Sequence, residues 1–157
     1  MNVAENHVKI LFRYYSDVLE EEIVETMWAI PIDIEHGLYQ LDNIPFYGPL
    51  VASDDIVLAE YDESESMLTY RMTVESSGNS IILVIVSNRH NEIESIREIF
   101  LGMGCKSEKL NEKYFAMEVP VSCNYSTIKK QLEAMEMQEI LEYAEPCLSE
   151  IHQDQLL

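Results

Sequence analysis

A group of carboxylates between residues 54 and 65 is the first place in this sequence where a cation could bind. The group pairs Asp54 and Asp55 with Asp62, Glu63 and Glu65. A calcium loop of the EF-hand type needs alternating oxygen ligands, a central glycine and a closing glutamate, and this segment does not have that order. The spacing favours a solvated turn beside a hairpin, with a protein-binding acidic patch as the alternative. It predicts no bound metal.

The residue types used for nucleophilic catalysis, zinc binding and phosphate binding are scattered along the chain. The histidines, at positions 7, 36, 90 and 152, form no His-x-x-x-His pair, and the cysteines, at 105, 123 and 147, form no Cys-x-x-Cys pair. The closest glycine pair, Gly102 and Gly104, follows a predicted helix, whereas anions bind where a helix begins. The sequence therefore predicts no catalytic residue and no cofactor, and we expect a protein that is not an enzyme.

Acidic residues dominate the composition and are concentrated in the first half of the chain. The protein has 29 acidic and 10 basic residues, a formal net charge of −19. A surface of this sign repels nucleic-acid backbones and anionic membranes, so both are excluded as partners. Residues 1–86 hold only three basic residues, Lys9, Arg13 and Arg71, against sixteen acidic ones. This asymmetry predicts a basic protein as the partner of the first half.

The chain shows no feature of an exported or membrane protein. Its N-terminus mixes charged residues into the first apolar run, unlike a secretory signal, and the longest apolar run, Ile81–Val86, is too short to cross a bilayer. An odd number of widely spaced cysteines predicts reduced, partly buried thiols. We expect a cytoplasmic protein.

Residues 7–86 show the two-residue periodicity of β-strands. The alternation appears in residues 8–15, in residues 24–30, where Val24, Thr26, Trp28 and Ile30 stand against Glu25 and Met27, and in residues 67–75. A short polar loop joins residues 56–61 to the last of these strands, which predicts a hairpin. The run Ile81–Val86 is apolar on both faces and predicts the central strand of a sheet.

The periodicity changes to that of helices after residue 86. Ile93, Ile96, Phe100 and Met103 predict one helix, ended by Gly104. Residues 113–119 predict a strand, and a second helix capped by Asn124 or Ser126 buries these residues: Ile128, Leu132 and Met135. A short element is expected at residues 140–143, before Pro146 breaks the chain.

We predict an α+β fold for residues 1–157 as a single domain. Its β-rich lobe, a small barrel or a curved antiparallel sheet, spans residues 7–86. A βαβα(β) lobe with helices on one face of a small sheet spans residues 87–148, and residues 149–157 are expected to form a loose tail.

Residues 37–49 mix bulky aromatic side chains with turn-forming residues. One interpretation is a structural corner that closes one end of a small barrel. The alternative is a docking surface with Tyr39, Phe46 and Tyr47 at its edge.

The same region carries a resemblance to an uncharacterised bacterial family with an "LDNIPF" core. The matching segments are residues 25–29, 37–39, 41–46 and 53–57, and the likeness extends over residues 8–145. Ser53-Asp54-Asp55 stands where this family usually has glycine–aspartate. The resemblance implies no activity and no catalytic residues. By size and charge, the chain also resembles the small acidic immunity proteins of contact-dependent growth inhibition and other polymorphic toxin systems.

These observations lead to one main function and two alternatives. The main hypothesis is an immunity protein that neutralises a basic toxin domain, a nuclease above all, by charge and aromatic complementarity. The carboxylates expected to steer this partner are Asp33, Glu35, Asp54, Asp55, Glu60, Asp62, Glu63 and Glu65, and the aromatic contacts are Trp28, Tyr39, Phe46 and Tyr47. The alternatives are an enzyme or small-ligand protein with a carboxylate site between the lobes, and a nucleic-acid mimic that blocks a DNA-binding protein.

Overall fold

The computed structural model describes residues 6–17, 19–47, 49–87 and 92–157, so Gly48 of the 37–49 stretch and His90 lie outside the described residues. The fold is α+β with a β-rich N-terminal part, as predicted. The chain divides into two compact units, with the boundary between Ser77 and Gly78. This boundary precedes the expected one at residue 86, because the strand that contains Ile81–Val86 pairs with strands of the second unit.

The first unit is a closed barrel of five strands that follow one another in chain order. They are β1 (Val8–Ser16), β2 (Glu21–Asp33), β3 (Leu38–Leu41), β4 (Ile56–Asp62) and β5 (Met67–Glu75). Consecutive strands pair antiparallel, and a parallel contact between Leu11 and Thr69 closes the barrel. Of the two arrangements that the sequence left open, the barrel is the one observed. The predicted β4–β5 hairpin is confirmed.

The barrel interior is filled by side chains from every strand. Ile10 and Phe12 of β1 meet Met27 and Ala29 of β2 there, and the Phe12 ring stacks on Tyr70 with centroids 4.8 Å apart. Five strands enclose little space, so small residues such as alanine are needed between the large ones.

Strand β2 has the predicted periodicity but presents the opposite face to the core. Glu25, Met27 and Ala29 point inward, whereas Val24 and Trp28 are 46% and 45% exposed. The register with β1 explains this reversal, because residues directly opposite each other on antiparallel strands share one face of the sheet. Ile10 is opposite Met27, and Phe12 is opposite Glu25. Burying the apolar residues of β1 therefore turns Val24 and Trp28 outward.

Pro31 does not end β2, which continues to Asp33. The register between β2 and β3 shifts between Pro31 and Asp33, so Ile32 is the extra residue of a bulge that directly follows the proline.

In its described residues, 78–87 and 92–157, the second unit has four strands and three helices. Its elements are β6 (Ser80–Val86), α1 (Ile93–Gly102), β7 (Lys106–Asn111), β8 (Tyr114–Val119), α2 (Tyr125–Met137), β9 (Leu141–Cys147) and α3 (Glu150–Asp154). The antiparallel sheet has the order β7-β8-β6-β9. With the element order βαββαβ, this is the ferredoxin-like topology. Strand β6 lies inside the sheet, as its apolar sequence predicts.

Both predicted helices pack against one face of this sheet. Ile93, Ile96 and Phe100 of α1 share one core with the predicted stripe of α2 and with alternate residues of β6 and β8. Asn124 is the residue that caps α2, since its side chain accepts a hydrogen bond from the backbone N–H of Ser126.

Two strands of this sheet depart from the sequence expectation. Strand β7 was not predicted, because its sequence, Lys-Ser-Glu-Lys-Leu-Asn, belongs to an exposed edge and lacks an apolar face. Strand β9 continues through Pro146, which sits at the other edge of the sheet where the register to β6 shifts.

The segment expected to form a loose tail is instead fixed by α3. His152 is fully buried, with Nδ1 2.6 Å from the Ser80 hydroxyl and Nε2 3.1 Å from the Pro120 carbonyl oxygen. A carbonyl only accepts, so Nε2 carries the proton and Nδ1 accepts from Ser80. The Ser80 oxygen also accepts from the Ser149 backbone N–H. This serine–histidine pair is inaccessible to substrate and holds the C-terminal segment in place.

Acidification is expected to weaken this attachment. Burial holds the pKa of His152 below its usual 6.5, so the unfolded chain binds a proton first as the pH falls below that value. The contribution of His152 to the free energy of unfolding should therefore decrease between pH 7.5 and pH 5.5. Urea denaturation at both pH values measures it. His152→Gln should show a smaller pH dependence than the wild type. Equal pH dependence in the two proteins would refute this role.

Candidate functional site

The carboxylate of Glu25 joins β2 to the chain segment that carries the "LDNIPF" sequence. Although buried, it accepts hydrogen bonds from the backbone N–H groups of Phe46 (2.6 Å) and Tyr47 (3.3 Å) and from the Tyr14 hydroxyl (3.2 Å). Burial raises the pKa of Glu25, and these three donors oppose that rise by stabilising the charged form.

Asn43 and its neighbour Asp42 attach the same segment to the backbone of Trp28. Its side-chain oxygen accepts from the Trp28 backbone N–H at 3.1 Å, and the Asp42 N–H donates to the Trp28 carbonyl at 2.9 Å. These contacts support the structural-corner interpretation of residues 37–49.

The four predicted aromatic contacts do not form one surface. Tyr39 is 6% exposed and belongs to the barrel core, so it is not available to a partner. Phe46 and Tyr47 are half-buried, and the Glu25 carboxylate holds their backbone. Trp28 is the half-exposed member of the set. The sequence cannot separate these cases, because an aromatic residue in a short barrel strand and one on its surface have similar neighbours.

Asp55 is also a structural residue and not a steering charge. It is buried, and its two oxygens accept from the Ala52 N–H at 2.9 Å and the Ser77 N–H at 2.8 Å. The carboxylate thereby holds together the turn before β4 and the end of the first unit. Asp54 is exposed beside it, in a left-handed backbone conformation with φ 68°.

Two arginines form ion pairs with carboxylates from the other acidic segments of the barrel. Arg13 binds Glu22 at 2.7 Å and both oxygens of Glu65 at 2.9 and 3.0 Å, so the start of β2 lies beside the β4–β5 turn. Arg71 binds Asp62 at 3.0 Å and approaches Glu60 at 3.9 Å. We call this group the acidic patch: Glu20, Glu21, Glu22, Glu60, Asp62, Glu63 and Glu65.

The acidic patch has an excess of negative charge even after both arginines are paired. Seven carboxylates face two guanidinium groups, which leaves a net charge of −5. The Ser64 hydroxyl and then Arg71 lower the pKa of Asp62 to about 2, so it is ionised at neutral pH. Glu20, Glu21 and Glu22 were not among the predicted site residues, although three consecutive glutamates were an available signal.

Asp33 and Glu35 lie apart from the acidic patch, at a single 3-10 turn after β2 (Ile34–His36). The Asp33 carboxylate accepts from the His36 backbone N–H and lies 2.7 Å from the His36 ring, an interaction that lowers the pKa of Asp33. Of the eight predicted steering carboxylates, the structure groups Glu60, Asp62, Glu63 and Glu65 with the missed glutamates. The other four lie outside the acidic patch, as two sequence-local pairs: Asp33 with Glu35, and Asp54 with Asp55.

A groove of about 870 Å³ lies within the second unit, and none of the predicted site residues line it. Its wall includes Ile85, Lys113, Glu136 and Tyr143. No cluster of three metal-ligating side chains occurs in the described ranges. The same part of the chain contains no helix that is long and apolar enough to span a membrane. Cys105, Cys123 and Cys147 form no disulfide, and burial raises the pKa of Cys105 to about 12.

Comparison with protein families identifies the chain. A model described as a domain of unknown function, DUF4265, matches residues 25–143. The chain belongs to the DUF4265 family. This confirms the expected membership of an uncharacterised family, and the matched residues run from the Glu25 carboxylate that fixes the corner to β9 of the second unit.

The DUF4265 chain is also similar to a solved structure, a hypothetical protein from Neisseria gonorrhoeae. The two share 26% sequence identity with a TM-score of 0.77, over 90% of this chain and 94% of the other. The similarity therefore extends over both units. A comparison with curated proteins found no match.

Removing the Glu25 carboxylate should destabilise the DUF4265 barrel. Glu25→Ala takes the acceptor away from the Phe46 and Tyr47 N–H groups, and the free energy of unfolding should decrease by about 2–4 kcal/mol. Urea denaturation measures this, with Glu21→Ala as the control because Glu21 is an exposed glutamate of the same strand. The control should remain within about 0.5 kcal/mol of the wild type. Similar stability of the two variants would show that Glu25 does not hold the corner.

Proposed function

We propose that this protein is a cytoplasmic immunity protein that binds a basic toxin domain with nuclease activity and neutralises it. The acidic patch is the observation that carries the proposal. A nuclease must attract phosphate groups, so its substrate cleft is basic. A surface with net charge −5 can occupy that cleft in place of nucleic acid.

The arrangement of charges supports rapid association with such a partner. Both arginines of the barrel are already paired with patch carboxylates, so they do not present unpaired positive charge to an approaching protein. Glu20, Glu21, Glu22, Glu60 and Glu63 are exposed. Exposed charges of one sign raise association rates through long-range attraction, and salt screens this effect.

A nucleic-acid mimic that blocks a DNA-binding protein would use the same electrostatics, and the activity of the bound partner distinguishes the two. The enzyme or small-ligand alternative stays a prediction of the sequence.

The proposal is tested first by affinity capture of the tagged protein from its own lysate, with low-salt and high-salt washes and mass spectrometry. We expect one basic polypeptide to remain in stoichiometric amount after the high-salt wash. Purified, it should degrade plasmid DNA, and one equivalent of the immunity protein should stop the degradation. A mixture of basic proteins that washes away, or a retained polypeptide whose activity is not inhibited, would contradict the proposal.

Charge reversal in the acidic patch should slow association with this polypeptide. Glu21→Lys with Glu63→Lys should lower the association rate constant by about tenfold or more at low salt, with little change in dissociation. Glu98→Lys with Glu108→Lys is the matched control, since it changes the net charge equally at exposed positions of the second unit. Surface plasmon resonance at several salt concentrations measures both. Equal slowing by the two variants would mean that net charge, and not the acidic patch, controls association.

A further inference from the structure

The outward face of β2 carries a row of apolar side chains that the fold does not bury. Val24, Trp28 and Ile32 are 46%, 45% and 51% exposed, and Ile30 between them is half-buried. We call these four residues the β2 outer row. At about 3.3 Å per residue they extend over roughly 25 Å. Thr26 is exposed on the same face between Val24 and Trp28, so the apolar side chains form an interrupted row. Exposed apolar surface of this kind is typical of protein interaction sites.

Trp28, in the middle of the row, is held in position before any partner arrives. The Lys9 ammonium lies 4.8 Å from the centroid of the indole, and the His7 ring lies 6.1 Å from it. Hydrogen bonds to Asn43 and from Asp42 fix its backbone. A half-exposed aromatic side chain that is already ordered loses little entropy on binding, which favours its use as an anchor.

The charges around the row decide which occupant it can accept. Trp28, in the middle, is directly opposite Lys9, whose ammonium lies over the indole. Val24 is directly opposite Arg13, which binds carboxylates of the acidic patch, and the row ends at Asp33 and Glu35. Carboxylates therefore flank both ends. A second copy of this chain, with its net charge of −19, is repelled, and so is an anionic membrane. A basic protein surface is the complementary occupant.

We propose that the β2 outer row is the apolar contact surface for the basic partner, with Trp28 as its anchor. The partner presents apolar side chains flanked by lysine or arginine, so that the apolar groups cover the row while the cations meet the carboxylates at its ends. This inference rests on the proposed function for the partner's charge and adds the surface that holds it.

Trp28 is the only tryptophan of the chain, so its fluorescence reports on this surface directly. The probe is a synthetic peptide of alternating lysine and leucine, compared with a lysine–serine peptide of equal charge. We expect the lysine–leucine peptide to shift the emission to shorter wavelength and to reduce acrylamide quenching at least twofold. The lysine–serine peptide should do neither. Ile32→Ser and Val24→Ser should each weaken lysine–leucine binding by about tenfold, whereas Leu50→Ser, at a position 83% exposed outside the row, should not.

The inference is overturned if the two peptides protect Trp28 equally, or if Leu50→Ser weakens binding as much as Ile32→Ser. Either result would leave the charge-driven function intact, because that function depends on the acidic patch and the captured polypeptide. With the captured polypeptide, Trp28→Ala should raise the Kd at least thirtyfold, mainly through faster dissociation. An unchanged Kd would also overturn the inference. Failure to capture any basic polypeptide would count against the immunity function alone.

Discussion

The buried carboxylate of Glu25 is the constraint on which the first unit depends. A shift of β2 by one residue would exchange its two faces, placing Val24, Trp28 and Ile30 inside the barrel and Glu25 outside. The interior beside Ile10 and Phe12 holds Met27 and Ala29 in the observed register, and a tryptophan would need far more room. Burying a carboxylate is costly, and the three hydrogen bonds from Phe46, Tyr47 and Tyr14 offset that cost. The register of β2 and the structural corner at residues 37–49 are thus determined together.

The exposed apolar face of β2 follows from this same constraint. With Glu25 inward, the residues that alternate with it must face solvent, and two of them, Val24 and Trp28, are large and apolar. Such exposure lowers solubility unless other charges counter it, and the barrel unit carries those charges on the adjacent acidic patch. The charge that favours solubility of an isolated molecule is also, under the proposed function, the charge that would select a basic partner. One arrangement of strands therefore produces both parts of the proposed interface.

The sequence predicts where the strands and helices of this fold lie better than it predicts which face of each one is buried. The strands at residues 8–15 and 67–75, both long helices and the central position of β6 follow from periodicity that the core enforces. The inward face of β2 could not be predicted, because it depends on the residues opposite it on β1 and on two backbone N–H donors, of Phe46 and Tyr47, supplied about twenty residues after Glu25. Strand β7 and helix α3 were missed for a related reason. An edge strand has no apolar face, and α3 is fixed mainly by one buried histidine whose partners, Ser80 and Pro120, are distant in sequence.

The roles of the candidate site residues could likewise not be predicted from the sequence alone. The sequence predicts the carboxylates as one steering group. In the structure Asp55 accepts hydrogen bonds from backbone N–H groups, whereas Glu60 and Glu63 are exposed to solvent. Only the fold distinguishes these two roles. The residues that carry the family resemblance mostly have structural roles like that of Asp55. Glu25 and Asn43 serve the corner, and Asp54, where the resemblance expects glycine, occupies a left-handed conformation that aspartate tolerates better than most residues. The residues that the DUF4265 model matches thus include those that fix the corner. The proposed partner would meet the side chains that the corner leaves exposed, and Trp28 belongs to both groups, because Asn43 holds its backbone while its indole is half-exposed.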